Sequence, residues 1–533
     1  MSNLIDEPVV LPFGKWRSYF FPIYFHELRK FLPMMGLLML IVFNYTILRN
    51  TKDALIVPSA GAEVIPFIKV WVVLPAAVFV TLLFTKLTNR YSQERVFYIM
   101  ITGFLVLYAL FAFVFYPLRD VVHPHNSANW LSVWLPEGLK GLVNMYRYWT
   151  YTGFYVISEL WSSMIMTTLF WGLANEVTKL YEARRFYGVF SIAGNIAGII
   201  ASEFTVLLSD WTASPHASEA GDNWQIVMQL LVLSVIVAGV LSMGVFYWLN
   251  RNVFNDPSYE TLHATIPGGK KRKRRPSLKE SFTFLSNSKY LLCIAAIVVG
   301  YNLVINLVEV VWKGQVTQLY PESVDYNTYM ARITIATNLL STVAAFFMTQ
   351  ILAAFGWTRT ALITPVIMLV TCAGFFGFLF LQGALDTTSV LLLGASPLAI
   401  AVFFGGAQNC FSRAAKYSVF DATKEMSFIP LDHESKLKGK AAIDGVGSRL
   451  GKSGGSLIHQ GLLMILVTLA GITPYVAVIL FAVIVVWIIA VRSLGHQFNA
   501  LVEEQTQKQK TSTEESRSTW TVAPAPEVQT VNA

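Results

Sequence analysis

Long uncharged hydrophobic runs, separated by short polar segments, dominate the pattern of this 533-residue chain. A run of about 20 apolar residues is long enough to cross the ~30 Å hydrocarbon core of a bilayer as an α-helix. Twelve such runs can be placed, so the sequence predicts an all-α polytopic membrane protein with twelve transmembrane helices. The predicted spans are 31–57, 64–85, 96–117, 146–175, 187–209, 225–249, 289–312, 331–354, 360–382, 390–411, 441–470 and 473–492.

Lysine and arginine are concentrated in every second loop between these spans. The loops that follow spans 2, 4, 6 and 10 are rich in them, whereas 210–224, 383–389 and 471–473 contain none. Because cytoplasmic loops carry an excess of Lys and Arg, the alternation supports twelve spans with both termini in the cytoplasm. The N-terminal segment has no signal-peptide or transit-peptide pattern, which favours a bacterial inner membrane over an organelle.

Two related halves are indicated by a weak internal similarity. A basic stretch followed by Gly-x-x-x-Gly occurs at Gly194/Gly198 and again at Gly451/Gly455. Two similar six-helix halves predict a transporter with its substrate site between them, although Gly-x-x-x-Gly can also serve helix packing alone. The predicted regions are a cytoplasmic segment 1–30, a first half 31–249, a basic linker 250–288, a pseudo-symmetric second half 289–496 and a disordered cytoplasmic tail 497–533.

Composition agrees with a membrane protein: 54% of the residues are hydrophobic and 14% are charged, against about 25% charged in soluble domains. The net charge of +8 is explained by cytoplasmic loops and by a linker, GGKKRKRRPSLKE, that can contact anionic lipid. Nucleic-acid binding is therefore not predicted. Cys293, Cys372 and Cys410 lie in or beside apolar spans without metal-like spacing and are expected to be buried hydrophobic residues, so no metal site is predicted.

Several ionised residues lie where a bilayer would make them costly. Glu159 is the only ionised residue between Tyr148 and Asn175, and an intramembrane charge marks a functional site by default; a structural hydrogen-bonded acid is the alternative. Arg49 and Lys52 follow eighteen uncharged residues and lie on a side poor in Lys and Arg. An aqueous cavity accounts for them better than an interface to which they would snorkel.

The second half carries its own candidates. Glu309 precedes Lys313 by four residues, which also suits a simple helix-surface ion pair. Arg449 and Lys452 share a helical face and could equally mark the cytoplasmic start of span 11. Cations from both halves suit a multiply charged anion such as a phosphorylated metabolite. Aromatic residues in the same spans could stack on a base or serve packing and the lipid interface: Tyr45, Tyr151, Tyr155, Trp161 and Tyr301.

Two other classes of protein are disfavoured. The segment GSRLGKSGG is not a phosphate-binding loop, because Val446 stands where the motif needs glycine. With no ATPase domain recognisable, transport is expected to be secondary and to need no cofactor. A membrane enzyme would need a catalytic arrangement, but only His459 among the histidines lies within a span, with no adjacent acid. The residues alone indicate an organic-anion transporter.

Long motifs across the chain resemble the nucleotide transporter family of obligate intracellular bacteria and plastids, the ATP/ADP translocases of chlamydial and rickettsial type. They are FNYTILRNTKDALIV, GAEVIPFIKVW, FYVISELWSSMIMTTLFWGLANEVTK, EARRFYGVF, YNLVINLVEVVWK, AAKYSVFDATKEMSFIPLDHESKLKGKAAID and LGKSGGSLI. The resemblance covers nearly the whole membrane region. It implies a major-facilitator-like architecture that works as a monomer.

The resemblance also implies a function and a site. The substrates would be host ATP imported in exchange for ADP, with or without phosphate, or nucleoside triphosphates imported with protons. The family's functional charges fall on Lys52, Glu159, Glu309 and Lys452. Lys52 and Lys452 are then expected to hold phosphates, while the two acids balance the lysines or carry a coupling proton.

One position departs from the family pattern. The exchangers often read R-D-T-K-D where this chain reads R-N-T-K-D, with Asn50 in place of the acid. The change leaves both modes of transport open and bears on base selectivity or coupling.

Overall fold

The computed structural model is a bundle of long helices. It describes residues 21–178, 180–212, 223–254, 288–381, 395–431 and 447–520, together with residues 435, 439, 440, 442 and 443. The predicted N-terminal residues 1–20, most of the basic linker (255–287) and the last residues 521–533 lie outside the described residues. Within the described part of the chain, every regular element is helical.

The twelve predicted spans each coincide with a helix, labelled here α1 to α12. Ten of these helices are long and apolar enough to cross a membrane: α1 (Leu28–Ala60), α2 (Val64–Arg90), α3 (Gln93–Phe115), α4 (Trp149–Val177), α5 (Leu180–Thr212), α6 (Asn223–Phe254), α7 (Lys289–Leu319), α8 (Ser323–Met348), α9 (Ala354–Leu381) and α12 (Leu469–Trp520). The other two, α10 (Pro397–Ala415) and α11 (Ser448–Leu466), are 19 residues each and are not among the ten. The count of twelve spans therefore stays a prediction.

Helix boundaries differ from the predicted ones in two places. A single helical run, Ser323–Leu381, contains both α8 and α9 and turns at Gly356, whose φ of +69° favours glycine. The helix α12 continues to Trp520, so residues 497–520, predicted to be disordered, are helical. That stretch contains no Pro and no Gly, so nothing in it terminates the helix that begins in the bilayer.

Corresponding helices of the two halves have corresponding neighbours. The first helix α1 packs against α5 and α6, and the seventh helix α7 packs against α11 and α12. The Gly-x-x-x-Gly pairs contribute to close packing: a Cβ on Gly455 would lie 2.9 Å from Cβ of Asn306 on α7. In the first half Gly198 packs against Asn338 of α8, which brings the two halves together.

The halves also meet at one end of the bundle, called here the closed face and formed by Ala62, Gly138, Gly314, Met464 and Leu469. A Cβ added to Gly138 would lie 2.5 Å from Met464 Cα, so the two backbones touch. Gly314 of α7 lies between Leu469 and Ala62. Gly138, Gly314 and Ala62 let these helix ends approach closely.

Candidate functional site

Lys52 is buried in the centre of the molecule and has two carboxylate partners. Its Nζ lies 2.9 Å from Glu159 Oε1 on α4 and 3.0 Å from Oδ1 of neighbouring Asp53. The ring of Tyr155, one turn before Glu159, lies 3.8 Å below the ammonium. All residues of α1 from Asn50 to Val57 are buried, because this end of the helix is surrounded on every side. The structure thus brings Lys52, Glu159 and Tyr155 together.

Glu309 of α7 is the centre of a second group of charges. Its Oε1 lies 3.0 Å from Lys313 Nζ and 3.3 Å from Arg413 Nη2, and its Oε2 lies 3.7 Å from Lys69 Nζ. Lys69 also donates a hydrogen bond to Asn306 Oδ1 at 3.1 Å. The helix-surface pair that the spacing of Glu309 and Lys313 predicts therefore exists, but two further cations join it.

The Lys313–Asp53 ion pair joins the two groups and, like Lys69–Glu309, joins the two halves of the chain. Lys313 Nζ of α7 lies 2.8 Å from Asp53 Oδ2 of α1, and both side chains are only 2–3% exposed. Seven charged residues then form one continuous network, with four cations against three carboxylates: Lys52, Lys69, Lys313 and Arg413 against Asp53, Glu159 and Glu309. A single excess positive charge in a low-dielectric interior favours binding of an anion.

Exposure is graded along this network. Asp53 and Lys313 are nearly inaccessible, whereas 22% of the Lys69 side chain and 35% of the Glu159 side chain are exposed. The network is therefore accessible to solvent at its Glu159 and Lys69 ends. The Asp53–Lys313 pair lies behind them, at the level where α1 and α7 run toward the closed face.

No ion pair among the described residues joins Arg49 or Lys452 to the network. Arg49 is partly buried, within electrostatic range of Tyr45 and Glu309. Lys452 is exposed on α11, eight residues and about 12 Å of helix rise from Gln460, whose Nε2 donates to the Pro66 carbonyl oxygen near Lys69. Arg449 lies in α11, but its side chain is outside the described part. Lys452 also lies one turn before Gly455, which packs against Asn306, the residue that accepts a hydrogen bond from Lys69. Within the part of the chain that the structure describes, Lys452 forms no ion pair with Glu159 or Glu309.

Three of the five aromatic candidates are packed in helix interfaces rather than open to a cavity. Trp161 donates a hydrogen bond to the Ile41 carbonyl oxygen at 3.2 Å. Tyr301 packs between Phe420 and Trp487. Tyr151 stacks on Tyr116 and Tyr148 and contacts His123. Tyr155 contacts Lys52 directly, and Tyr45 lies within electrostatic range of Arg49 and Glu159.

Asn50, where the family pattern often has an acid, contacts the other half. Its Oδ1 accepts a hydrogen bond from Thr334 of α8 at 3.2 Å, and its buried Nδ2 has no partner among the described residues. An aspartate here would place a fourth carboxylate beside the network and cancel its excess positive charge.

Sequence reasoning missed four members of the network. Lys69 carries the same signal as Glu159, since it is a lone charge inside the predicted span 64–85. Arg413 was assigned to the cytoplasmic loop after span 10, yet α10 continues past it to Ala415. Asp53 and Lys313 adjoin predicted site residues but lie where charges commonly face water at helix ends.

The cluster around Tyr151 predicts a pH dependence of stability. His123 Nε2 lies 2.6 Å from Thr150 Oγ1, and burial, followed by the neighbouring His125, lowers the pKa of His123 to about 4. The unfolded chain, with a histidine pKa near 6.5, binds more protons between these values. This contribution to stability is thus complete above about pH 6.5 and lost as the pH falls toward 4.

The measurement is the melting temperature in detergent between pH 7.5 and pH 5. We expect His123→Gln to flatten the dependence on pH, whereas His26→Gln, at an exposed position, should leave it unchanged. An equal slope in the wild type and in His123→Gln would contradict the assignment.

Comparisons with known proteins identify one family over most of the chain. The model of a family described as TLC ATP/ADP transporter matches residues 9–498. The chain is 44% identical over 508 residues to "ADP,ATP carrier protein 1" of Chlamydia pneumoniae, covering 95% of this chain and 98% of that protein. It is 38% identical over 483 residues to "ADP,ATP carrier protein 2, chloroplastic" of Arabidopsis thaliana (90% and 76%), and 36% identical over 491 residues to "ADP,ATP carrier protein 1" of Rickettsia typhi (92% and 97%).

A solved structure resembles the fold with little sequence similarity. It is a bacterial homologue of the iron transporter ferroportin in an inward-facing state, with a TM-score of 0.55 and 14% identity over 89% of this chain and 99% of that one. At this identity the likeness concerns the fold alone. It agrees with the all-helical architecture predicted from the sequence.

Proposed function

We propose that this chain, which belongs to the TLC ATP/ADP transporter family, exchanges ATP for ADP across a membrane by alternating access. Relatives in Chlamydia, Rickettsia and Arabidopsis are named as ADP,ATP carriers. The observation that carries the proposal is the network of four cations and three carboxylates between the halves, open to solvent at Glu159 and Lys69 and closed beyond Asp53 and Lys313.

The electrostatics suit exchange rather than free uptake. In the absence of substrate, Glu159 and Glu309 hold the cations that face the cavity. Opening the closed face would separate α1 from α7 and break the Asp53–Lys313 pair, leaving buried charges without partners. A nucleotide whose phosphates contact Lys52 and its neighbours would supply the missing negative charge. The loaded carrier would therefore change between its two open conformations more readily than the empty one.

The finer features of the proposal are a location in a bacterial inner membrane, cytoplasmic termini and action as a monomer. Lys52, Glu159 and Glu309 would form the substrate site together with Arg49. Lys452 and Arg449 of α11 would contact the nucleotide further along the cavity or during its entry. Tyr155 and Tyr45 are the aromatic residues best placed to contact a base, because they lie nearest the charges.

The test is uptake of α-phosphate-labelled ATP into proteoliposomes with and without internal ADP. We expect uptake to require internal ADP and to persist in the presence of a protonophore. Uptake into vesicles without ADP that collapses with the proton gradient would instead establish proton-coupled import, and Asn50→Asp would be the first variant to examine. Internal ADP with added phosphate, compared with ADP alone, tests whether phosphate is carried as well.

A further inference from the structure

The cations around Glu309 outnumber the charge that it can compensate. Lys313 and Arg413 come from α7 and α10 of the second half, whereas Lys69 comes from α2 of the first half, so a single carboxylate holds three cations from both halves. Asp53 compensates the charge of Lys313, whose Nζ lies 2.8 Å from Asp53 Oδ2. Lys69 and Arg413 have Glu309 as their carboxylate partner.

Accessibility separates these cations into two classes. Lys313 is 2% exposed, whereas Lys69 is 22% and Arg413 is 15% exposed. Lys69 also begins the π-helical segment Lys69–Val73, and such segments within α-helices occur often at functional sites. Lys69 and Arg413 are therefore the two cations of this group that solvent reaches, whereas Lys313 is closed off.

The guanidinium of Arg413 has a donor that is not used. Its Nη2 lies 3.3 Å from Glu309 Oε1, but its buried Nε has no hydrogen-bond partner among the described residues. A buried donor without a partner is costly, so an acceptor that reached this Nε after a rotation of the Arg413 side chain would stabilise the guanidinium. Arginine binds phosphate as a two-pronged fork, and lysine binds it as a point charge.

We propose that Lys69 and Arg413 bind the terminal phosphates of the transported nucleotide, and that the Glu309 carboxylate occupies their place when the site is empty. This inference rests on the proposed function. The larger negative charge of a polyphosphate chain would displace the Glu309 carboxylate. The released Arg413 guanidinium would then turn so that a phosphate oxygen accepts a hydrogen bond from its Nε. Because Lys69 and Arg413 belong to different halves, one phosphate chain would then join the two halves.

The experiment measures binding of ATP, ADP and inorganic phosphate to the purified full chain in lipid nanodiscs. We expect Lys69→Gln and Arg413→Gln each to raise the Kd for ATP and ADP at least tenfold. Arg413→Lys should recover part of the loss, since it restores the charge without the fork. The matched control is Lys416→Gln, one turn along from Arg413, because Lys416 pairs with Asp421 at 3.1 Å and should leave the Kd unchanged.

Glu309→Gln distinguishes a carboxylate that holds the place of phosphate from one that contacts the nucleotide. Loss of a competing anion should lower the Kd for ATP severalfold while exchange in proteoliposomes falls, because the empty carrier loses its counter-charge. Weaker binding by Glu309→Gln would overturn the placeholder role. Wild-type binding by folded Lys69→Gln and Arg413→Gln, with melting temperatures near that of the wild type, would overturn the assignment of these two cations.

Failure of the proposed function has a different signature. If the wild type bound neither ATP nor ADP, the nucleotide exchanger would be excluded and the cations would be judged on inorganic phosphate alone. Phosphate binding that Arg413→Gln abolishes would support an anion site at Glu309. A wild type that bound no phosphate either would overturn it.

Discussion

Replacing Lys52 with methionine should reduce ATP/ADP exchange more than a hundredfold while the protein still inserts in the membrane. Lys52 Nζ is the cation within 4 Å of Glu159 in the described part of the chain, at 2.9 Å. Removing one partner of a desolvated charge pair costs roughly 2–5 kcal/mol, and every 1.36 kcal/mol is a factor of ten in rate. Folding is retained because Asp53 keeps Lys313 as an ion-pair partner. The loss therefore affects the transport step in which phosphate occupies the site.

The measurement is initial ATP uptake into ADP-loaded proteoliposomes, corrected for the amount of inserted protein. The control is Lys86→Met, which removes an exposed lysine of α2 and should exchange normally. Lys52→Arg should be intermediate, since a guanidinium keeps the charge but does not reproduce an ammonium lying over the Tyr155 ring at 3.8 Å. Uptake by Lys52→Met at the wild-type rate would remove Lys52 from the site.

Neutralising Lys313 alone should destabilise the protein far more than neutralising Lys313 and Asp53 together. Both side chains are almost completely buried and 2.8 Å apart. Removing Lys313 takes one cation from each of two carboxylates, Asp53 and Glu309. Breaking a buried pair from one side costs about 3–5 kcal/mol, whereas replacing the whole pair by neutral groups is often close to neutral. We therefore expect Lys313→Met to lower the melting temperature strongly and Lys313→Met/Asp53→Asn to recover much of it.

A double-mutant cycle measures this coupling. The melting temperatures of the two single variants, the double variant and the wild type complete the cycle. Asp120→Asn and Lys140→Met, which change exposed residues between α3 and α4, provide a control pair for which the effects should be small and additive. Additive losses at Asp53 and Lys313 would show that the two residues do not act as a buried pair.

The candidate site could be predicted from the sequence wherever a charge interrupts an otherwise apolar run. Glu159 and Lys52 stand out for this reason, and the structure places them 2.9 Å apart. The same rule identifies Lys69. It is less informative for Asp53, Lys313 and Arg413, because a charge near the end of a span is usually satisfied by water or headgroups.

The environment of an aromatic residue is harder to predict from the sequence, again for a physical reason. The helices of the bundle are apolar around most of their circumference, so no amphipathic stripe tells which side faces a cavity. Tyr151 and Tyr155 are four residues apart on α4, yet Tyr151 packs among Tyr116, Tyr148 and His123, whereas Tyr155 supports Lys52. Only the neighbouring helices decide between these environments.

The sequence by itself determined the helical membrane architecture and the family, because a bilayer accepts only long apolar helices with satisfied backbones and because the long motifs are specific. It also indicated that charges within the spans would carry the function. The tertiary structure decided which charges meet. Lys313 pairs with Asp53 and Glu309 pairs with Lys69 across the two halves, whereas Lys452 forms no ion pair among the described residues. Partner choice depends on how helices distant in the chain pack and on which residues that packing closes off from water.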